Sequence, residues 1–462
     1  MKTVFISILE GVEAKNILRT DAVKTILKDE EVHIVFLVKD EARVTYYSRE
    51  FNGPRISYAV VTYDRSLGKG FDRFFAVLKF YLLRTKTTNL RRRLAYEAGG
   101  NYFTYIGSHI LNILLAHRPI RRLARALDYR LVKNSRYREV FEKYKPDLVF
   151  LAHLFEESEI NILREARHRG IKTIALVNSW DKVTARAIMR LLPDRVIVFN
   201  DIVKREMEHY NDMPLHRIDV SGIPQYDDYF KYPHPWSTRE EFFSRIKINP
   251  KHKLIVYAPM GRTFSNTDWD VLDLLHRLQR EKKIGEDVSI LVRFQPNDFL
   301  QEGELEKRPW LIYDYPGVRF TTERGVDWDM PFPELKHLHD TLSFLDLVIC
   351  WAGSFGVDAS IFDKPVINPD LILRPHEPRI RSPREHYRFE HYEKALAFGG
   401  MRLIPTEEEL VKWIKLYLND PAIDREGRAA LVAHEVQFKD GKSGERIGNF
   451  VLSLLRNETL KN

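Results

Sequence analysis

The stretch Leu345–Asn368, LDLVICWAGSFGVDASIFDKPVIN, constrains the fold of this chain most. Its run Leu347–Cys350 is apolar throughout, which is typical of a short strand buried on both faces of a sheet. Small residues follow at Ala352–Ser354, and they let backbone N–H groups approach a ligand closely. A helix is predicted over Phe355–Phe362, with free N–H groups and a positive dipole end at its start. This order of elements is that of a phosphate site in a parallel sheet, although any such turn also carries Gly-Ser for tight geometry alone.

Length and composition indicate a globular protein of two domains. The chain has 462 residues, which is more than one hydrophobic core usually supports. Its 44% hydrophobic and 30% charged residues fit a folded protein rather than a disordered one. The single cysteine, Cys350, excludes an internal disulfide and a cysteine-based metal site. No uncharged apolar run approaches the roughly 18 residues of a membrane span, and the apolar run before Glu10 is interpreted as a first strand rather than a signal peptide, so we expect a cytoplasmic protein.

Short apolar strands alternate with helices along most of the chain, which predicts parallel α/β sheets. The predicted strands are Lys2–Leu9, Val32–Val38, Ile56–Thr62, Pro146–Leu151, Ile171–Val177, Arg195–Phe199, Ile218–Val220, Lys253–Ala258, Ser289–Val292, Val318–Thr321 and Leu347–Cys350. Glu10–Glu13 is expected to form a turn and Ala14–Leu27 a helix. We divide the chain into a first domain (1–228), a proline-punctuated linker (229–250), a second domain (251–440) and a helical segment (441–462) expected to pack back on the first domain.

Residues 65–145 interrupt this alternation and concentrate the positive charge. They hold 19 Lys/Arg against 5 Asp/Glu, a net of +14 in a chain whose formal net charge is +8. Large apolar and aromatic residues recur at helical spacing in Phe71–Leu83 and Tyr102–Leu115, near the run Arg91–Arg93. A basic helical insertion of this kind suits an anionic membrane or an anionic acceptor, and the alternative is an insertion whose basic faces are simply solvated. Nucleic acid is not an expected partner, since no recognised binding motif is present.

Polar residues with small neighbours follow the predicted strands of the second domain. They are Gly261 and Arg262, Arg293 and Gln295, and then Gly353, Ser354, Phe355 and Asp358. Open α/β sheets bind ligands beyond the carboxyl ends of their strands, so these residues are candidates for a nucleotide-donor site. Arg262 and Arg293 are predicted to neutralise a diphosphate, with ordinary surface ion pairs as the alternative. Asp358 lies one helical turn after Ser354 and is predicted to accept from ribose hydroxyls, with helix-end electrostatics as the alternative.

The first domain offers a second set of polar residues at its strand ends. These are Glu10 and Gly11, His153, and Trp180 with Asp181. His153 is predicted to accept a proton from an acceptor hydroxyl, because imidazole titrates near neutral pH, although a lone histidine at a strand end is often structural. Asp181 is a second candidate base, with helix capping as its alternative role. The two sets predict two Rossmann-like domains that face each other across a cleft, with a donor wall and an acceptor wall.

Metal and dinucleotide chemistry are not expected. His337 and His339 lie two residues apart on a predicted helix, so they face different directions, and Asp340 adds no further ligand at metal spacing. The chain has no GxxxxGK[ST] phosphate loop and no GxGxxG fingerprint, which leaves ATPase and oxidoreductase functions without support. We therefore predict no metal site and no bound cofactor.

Several motifs resemble a known family. The segment Ala352–Ala359 matches the spacing of the donor motif in GT-B nucleotide-sugar glycosyltransferases, with Asp358 where glutamate is commoner. Within that fold the chain resembles bacterial surface-polysaccharide transferases, and in particular the CDP-glycerol glycerophosphotransferase-like group. The stretches that carry this resemblance are SWDKVTAR (179–186), PDRVIVFND (193–201), VSGIPQYD (220–227), VICWAGSFGVDASIFDKPVI (348–367) and DGKSGERI (440–447). The basic insertion lies outside the resemblance.

The resemblance implies a metal-independent glycosyltransferase. Such an enzyme moves a sugar from a nucleotide-activated donor, used as a substrate, to a surface-glycan or lipid-linked acceptor at the inner face of the cell membrane. A CDP-glycerol-type polyol-phosphate transferase is one alternative, although the teichoic-acid polymerases carry an HG-type sequence where this chain has Ser179-Trp180. A UDP-sugar 2-epimerase of the same fold is a second alternative. The third is a non-enzymatic protein that binds an anionic surface through residues 65–145.

Overall fold

A computed structural model describes residues 1–63, 68–262, 264–321 and 328–457. The described residues form two compact units. The first unit comprises Met1–Arg92, Asn101–Lys231 and Val436–Asn462, and the second comprises Arg93–Gly100 and Tyr232–Glu435. Residues 65–67, where the predicted insertion starts, and 458–462 of the predicted C-terminal segment lie outside the described residues.

The first unit is built on a seven-stranded parallel sheet. Its strands are β1 Lys2–Ser7, β2 Val32–Val38, β3 Ile56–Val60, β4 Leu148–Leu151, β5 Lys172–Leu176, β6 Arg195–Val198 and β7 Ile218–Val220. They lie in the order β3-β2-β1-β4-β5-β6-β7, and all neighbours pair in parallel. The central strands are buried on both faces, as continuous apolar runs require in a parallel sheet covered by helices.

The second unit contains a six-stranded parallel sheet and a small two-stranded one. The strands are β8 Lys253–Ala258, β9 Val288–Arg293, β10 Tyr313–Asp314, β11 Val318–Arg319, β12 Trp328–Asp329, β13 Leu347–Cys350, β14 Val366–Pro369 and β15 Arg402–Ile404. The main sheet has the order β10-β9-β8-β13-β14-β15, and β11 pairs with β12 outside it. The sequence-based prediction of two parallel α/β domains is therefore confirmed.

Helices cover and connect the strands. The α-helices in chain order are α1 Gly11–Glu13, α2 Asp21–Ile26, α3 Glu41–Tyr47, α4 Gly70–Tyr81, α5 Lys86–Glu97, α6 Tyr102–Leu115, α7 Arg118–Leu131, α8 Arg138–Tyr144, α9 Glu157–His168, α10 Lys182–Ala185, α11 Asp201–Asn211, α12 Asp227–Lys231, α13 Arg239–Arg245, α14 Thr267–Arg280, α15 Glu302–Glu306, α16 Phe332–Phe344, α17 Phe355–Ile361, α18 Glu390–Leu396, α19 Glu407–Asn419, α20 Arg425–Leu431 and α21 Ser443–Arg456. Two π-helical turns, Ala14–Leu18 and Val432–Val436, interrupt the regular pattern.

Two local predictions were wrong. The strand expected at Val318–Thr321 is the two-residue β11, which pairs antiparallel with β12 rather than joining the main sheet. The single helix expected over Ala14–Leu27 is broken at Thr20, whose hydroxyl bonds to preceding carbonyl oxygens and accepts the Ala22 N–H. A threonine that satisfies both helix ends in this way stops one helix and caps the next.

Four helices of the predicted insertion, α4 and α6–α8, belong to the first unit, and a buried ion-pair cluster fixes part of it there. The cluster consists of the cations Lys79, Arg164 and Arg190 and the carboxylates Asp72, Asp128 and Glu157. Asp72 lies on α4 and Asp128 on α7, and both bond to Arg190, which follows α10 in the sequence. These ion pairs turn Asp72, Lys79 and Asp128 of the insertion inward, which neither the anionic-surface interpretation nor the alternative of solvated basic faces had included.

Helix α21 packs against α2 within the first unit. Two glycines of α21 permit this contact, because a Cβ at Gly444 would lie 2.9 Å from the Asp21 N, and one at Gly448 would lie 2.6 Å from the Thr25 Cβ. Asp227 accepts hydrogen bonds from the first N–H groups of α21, at 2.9 Å from the Ser443 N and 2.7 Å from the Gly444 N. The Asp227 carboxylate thus caps the N-terminus of α21.

Candidate functional site

Strand order places a switch point at the centre of each sheet. β1 has β2 on one side and β4 on the other, and β8 lies between β9 and β13 in the same way. Chain connections leave such a central pair in opposite directions, which opens a crevice at the carboxyl ends where ligands bind in open α/β sheets. The predicted residues follow these strands: Glu10, Gly11 and His153 in the first unit, and Gly261, Arg262, Gly353 and Ser354 in the second.

A buried carboxylate holds the loop after β8. Asp268, in the first turn of α14, accepts from the Tyr257 hydroxyl at 2.6 Å and the Trp351 Nε1 at 2.8 Å. It also accepts the backbone N–H groups of Met260, at 3.1 Å, and Gly261, at 2.9 Å. Gly261 has φ +98°, a conformation that suits glycine, and its open side faces the Asp298 carboxylate. Charge-assisted hydrogen bonds to the buried Asp268 carboxylate therefore fix the loop that carries Arg262.

Arg262 and Gln295 line an open pocket at this end of the sheet, together with aromatic side chains of which Phe294 and Tyr315 are two. The Arg262 side chain is exposed, and within the described ranges it makes no hydrogen bond or ion pair. Gln295 donates from its Nε2 to the Pro259 carbonyl oxygen at 3.2 Å, which ties the ends of β8 and β9 together. The arrangement combines a free guanidinium, an amide and apolar walls, which suits a phosphate attached to a flat, partly apolar group.

Arg293 is not free at the surface. It is buried and donates to the Asp314 Oδ2 at 3.1 Å, and the His337 Nε2 lies 2.8 Å from the same oxygen. Burial opposes the ionisation of Asp314, but the His337 hydrogen bond and the Arg293 charge outweigh it and lower the pKa of Asp314. The alternative role considered for Arg293, an ion pair, is thus the one observed, although the pair is buried.

The small-residue turn after β13 is open on one side and supported on the other. Ser354 is exposed and precedes α17, Phe355 begins that helix half-buried, and the Tyr392 hydroxyl accepts the Gly353 N–H. Asp358, by contrast, is buried on the inner side of α17. Burial, together with the Asp358 charge, raises the pKa of the Cys350 thiol to about 12. The sequence predicts Ser354 and Asp358 on the same side of the start of α17, and in the structure Ser354 is exposed whereas Asp358 is buried.

The first unit brings its predicted residues to the carboxyl edge of its sheet. Glu10 accepts the Tyr63 hydroxyl at 2.9 Å, and Gly11 is the buried first residue of α1. Trp180 and Asp181 are half-buried after β5, where Asp181 accepts from the Ser179 hydroxyl. Glu10 and Gly11 follow β1, Trp180 and Asp181 follow β5, and β4, which precedes His153, lies between those two strands in the sheet.

His153 is fully buried, which sequence reasoning did not anticipate. Its Nε2 lies 2.6 Å from the Lys182 Nζ, and its Nδ1 lies 3.7 Å from the Glu159 Oε2. Burial, followed by the charges of Lys182 and Arg186, lowers the pKa of His153 well below its usual value, so the ring is neutral and accepts from the ammonium. Lys182 is half-buried and stands between the ring and solvent. The lysine was present in a quoted motif, but no spacing rule singled it out.

Two buried glutamates complete the group beneath Lys182. Burial raises the pKa of Glu13, and the charge of Glu159 raises it further. Burial likewise raises the pKa of Glu159. One ligand atom from each of Glu13, His153 and Glu159 lies within 4.8 Å of the others, which is a metal-like set that sequence spacing did not reveal. Because the Lys182 ammonium already contacts His153, the arrangement suits shared protons better than a cation.

This buried pair makes the protein's stability depend on pH. The folded state holds the carboxyl protons to higher pH than the unfolded chain does, so the free energy of unfolding falls as pH rises above the usual glutamate pKa of about 4.3. The substitution Glu13→Gln keeps an oxygen for the Leu9 and Glu10 N–H groups and removes one charge. We expect the melting temperature of Glu13→Gln to fall less between about pH 5 and pH 8 than that of the wild type. Glu139→Gln, on the exposed side of α8, should follow the wild type, and equal pH slopes for Glu13→Gln would contradict the assignment.

Comparison with known proteins identifies the fold. Staphylococcus aureus MnaA in complex with UDP superposes with a TM-score of 0.56 and 13% identity, covering 100% of this chain and 99% of that one. The UDP-GlcNAc 2-epimerase of Neisseria meningitidis bound to UDP-GlcNAc gives 0.53 and 12%, covering 98% and 100%. A variant of the wall teichoic acid polymerase TagF gives 0.51 and 11%, covering 99% and 89%. The chain therefore has the GT-B fold, as its motifs predicted.

Comparison of sequences finds a distantly related protein. A lipid-A-disaccharide synthase of Geobacter sulfurreducens is 20% identical over 329 residues, which are 69% of this chain and 78% of that protein. No family model matches the chain. The fold is thus one shared by glycosyltransferases and nucleotide-sugar epimerases of glycan biosynthesis.

Proposed function

We propose that this protein is a glycosyltransferase that uses a nucleotide-activated sugar as its donor. The observation that carries the proposal is the switch point of the second sheet, where the loops after the neighbouring strands β8 and β13 hold Arg262 and Gly353–Ser354. An exposed guanidinium and a turn of small residues at a helix start are the groups that bind a diphosphate. Solved structures of this fold carry UDP, UDP-GlcNAc or CDPG in their names, which supports a nucleotide donor.

The proposed chemistry gives each of these groups a role. Arg262 and the N–H groups at Gly353–Ser354 would stabilise the diphosphate that gains charge as its bond to the anomeric carbon breaks. The acceptor hydroxyl would lose its proton as its oxygen bonds to that carbon, and half-buried Asp181 is the proposed base. His153 is less suited to this role, because it is buried and already accepts from Lys182. The donor is a substrate in this scheme, with no resident cofactor, and the acceptor would be a glycan or a lipid-linked glycan.

Nucleotide binding is the first test. In a thermal-shift screen of UDP, GDP, CDP and CMP and their sugar or glycerol conjugates, we expect at least one compound to raise the melting temperature of the wild type. Arg262→Ala should weaken that compound by roughly 10- to 100-fold, the usual loss for one charge-assisted phosphate contact. Arg280→Ala, an exposed arginine at the far end of α14, is the matched control and should bind as the wild type does. The proposal fails if no compound stabilises the wild type, or if the two variants behave alike.

An epimerase remains the second candidate, because several solved structures of this fold are UDP-GlcNAc 2-epimerases. Product analysis separates the two activities. An epimerase converts the nucleotide sugar without any acceptor, whereas a transferase releases nucleoside diphosphate only when an acceptor is present. Release of CMP from CDP-glycerol would instead identify a polyol-phosphate transferase, for which the likeness to TagF is the supporting observation.

A further inference from the structure

Helix α6 is an apolar helix on the protein surface. Its 14 residues, YFTYIGSHILNILL, include no Asp, Glu, Lys or Arg, and only Asn112 among them is buried. Phe103 is 82% exposed, Ile110 51% and Leu114 58%. Burying such side chains is worth about 1.5–3 kcal/mol each, so a helix of this composition normally packs against something apolar.

The helices beside α6 extend the apolar surface. α4 packs against both α6 and α7. Exposed large hydrophobic residues on α4 are Phe71, Phe74, Val77 and Phe80, and those on α7 are Leu123, Leu127 and Leu131. Within the described part of the chain, 13 of the 24 exposed large hydrophobic side chains lie on α4, α6 and α7. We call this surface the α4–α6–α7 face.

The polar contacts of these helices point inward and hold the face in place. The Asn112 side-chain amide donates to the Tyr81 carbonyl oxygen at 2.8 Å and to the Leu83 carbonyl oxygen at 2.9 Å, which fixes α6 to the end of α4. On α7, Arg121 donates to Asp212 at 2.6 Å and Arg125 donates to the same carboxylate at 2.8 Å. The exposed apolar side chains of the face are therefore carried by helices that buried polar contacts hold in place.

The charge around the face has one sign. The only carboxylates of α4, α6 and α7 are Asp72 and Asp128, and both bond to Arg190 in the buried ion-pair cluster. The exposed cations on these helices and on the turns between them are Arg73, Arg84, Arg118, Arg122 and Arg130. Of these, Arg118 also lies 3.9 Å from the Asp212 carboxylate. An apolar surface bordered by exposed arginines is complementary to an anionic lipid bilayer, whose acyl region takes the side chains and whose phosphates take the guanidinium groups.

We propose that the α4–α6–α7 face docks the protein on an anionic membrane surface, with α6 lying in the plane of the interface. At 1.5 Å per residue α6 is about 21 Å long, which is shorter than the roughly 30 Å hydrocarbon core of a bilayer. Among the described residues, no helix is long and apolar enough to cross a membrane. A second copy of the chain is a poorer occupant, since a self-complementary contact would bring like-charged arginines together. The proposal does not depend on which donor the enzyme uses.

Co-sedimentation with vesicles tests this docking. The full-length protein should sediment with vesicles of phosphatidylcholine and phosphatidylglycerol, far less with phosphatidylcholine alone, and less as salt is added. A triple variant, Phe103→Glu, Ile110→Glu and Leu114→Glu, should lose at least tenfold in partitioning. A second triple variant, Arg73→Ala, Arg122→Ala and Arg130→Ala, should lose about fivefold per cation on anionic vesicles only. The control carries Leu215→Glu, Ile372→Glu and Ile380→Glu, which are exposed apolar residues outside this face, and should bind as the wild type does.

The melting temperature and the nucleotide-induced shift of each variant serve as controls for its fold. Because the altered side chains are exposed, all variants should keep the melting temperature and the nucleotide-induced shift of the wild type, whatever that shift is. Failure of the wild type to bind anionic vesicles overturns the proposal, and so does equal binding by the first triple variant. A wild-type dimer in solution that the first triple variant converts to monomer would assign the face to a second copy instead, and also overturns it.

Discussion

Arg190→Ala is expected to lower the free energy of unfolding by about 3–5 kcal/mol, because it leaves buried carboxylates without their cation. The side chain is 1% exposed, forms ion pairs at 2.8 Å with the Asp72 Oδ1 and the Asp128 Oδ2, and donates a hydrogen bond to Glu157. Burial alone would lower the pKa of Arg190, yet the Asp128 hydrogen bond and the surrounding carboxylates raise it. The three cations and three carboxylates of the buried ion-pair cluster balance only while Arg190 is present.

Urea unfolding measures this loss, and proteolysis shows where it acts. Because Asp72 and Asp128 lie on α4 and α7, Arg190→Ala should also make residues of the insertion sensitive to protease before the rest of the first unit. Arg190→Lys keeps the charge but not the forked geometry of the guanidinium, so its free energy of unfolding should lie between those of the wild type and Arg190→Ala. Arg205→Ala, on the exposed side of α11, should change stability by less than about 0.5 kcal/mol. A loss below about 1 kcal/mol for Arg190→Ala would contradict the cluster's role.

Asp268→Ala is expected to cost about 3 kcal/mol or more, since it removes the acceptor of four hydrogen bonds, although the Trp351 Nε1 keeps the Tyr257 hydroxyl at 2.9 Å as a second acceptor. Burial raises the pKa of Asp268, and the hydrogen bonds from Tyr257, Gly261, Met260 and Trp351 oppose that rise. Two of these donors are backbone N–H groups of the loop that presents Arg262. The same substitution should therefore weaken nucleotide binding, although Asp268 is buried beneath the pocket.

Asp270→Ala is the control on the same helix. Asp270 forms an ion pair with Arg374 in which both side chains are about one-third exposed, and such a pair is worth at most about 1 kcal/mol. Its nucleotide affinity should equal that of the wild type. The outcome that rejects the loop-anchoring role is an Asp268→Ala variant with wild-type melting temperature and wild-type nucleotide affinity in thermal-shift titrations.

The strands were predictable where burial on both faces leaves an apolar run. Lys253–Ala258 and Leu347–Cys350 have the predicted bounds. The edge strands β10 and β15 were missed, because Tyr313–Asp314 and Arg402–Ile404 are two and three residues long and carry no apolar run. Edge strands are held by pairing with a neighbour, and a linear sequence does not show that neighbour.

The location of the candidate site could be predicted, because its residues follow the ends of strands. Gly261, Arg262, Gly353 and Ser354 follow β8 and β13, which are neighbours in the sheet, and the strand-end rule together with the small-residue turn pointed to this end of the sheet. Side-chain direction was beyond sequence reasoning. Asp358 is buried by the way α17 packs on its sheet, and Lys182 reaches His153 across two different loops. Both outcomes depend on tertiary packing rather than on spacing along the chain.

The close contact between α2 and α21 has a consequence for synthesis on the ribosome. The N–H groups of α21 bond to Asp227, and its glycines lie against Asp21 and Thr25, yet the whole second unit is translated between these partners. The second unit has its own sheet and emerges as one nearly continuous segment, so it can fold during translation. The groove on α2 stays open to solvent, and to chaperones, until Gly448 has left the exit tunnel. Completion of the first unit is thus the last folding event of the described chain.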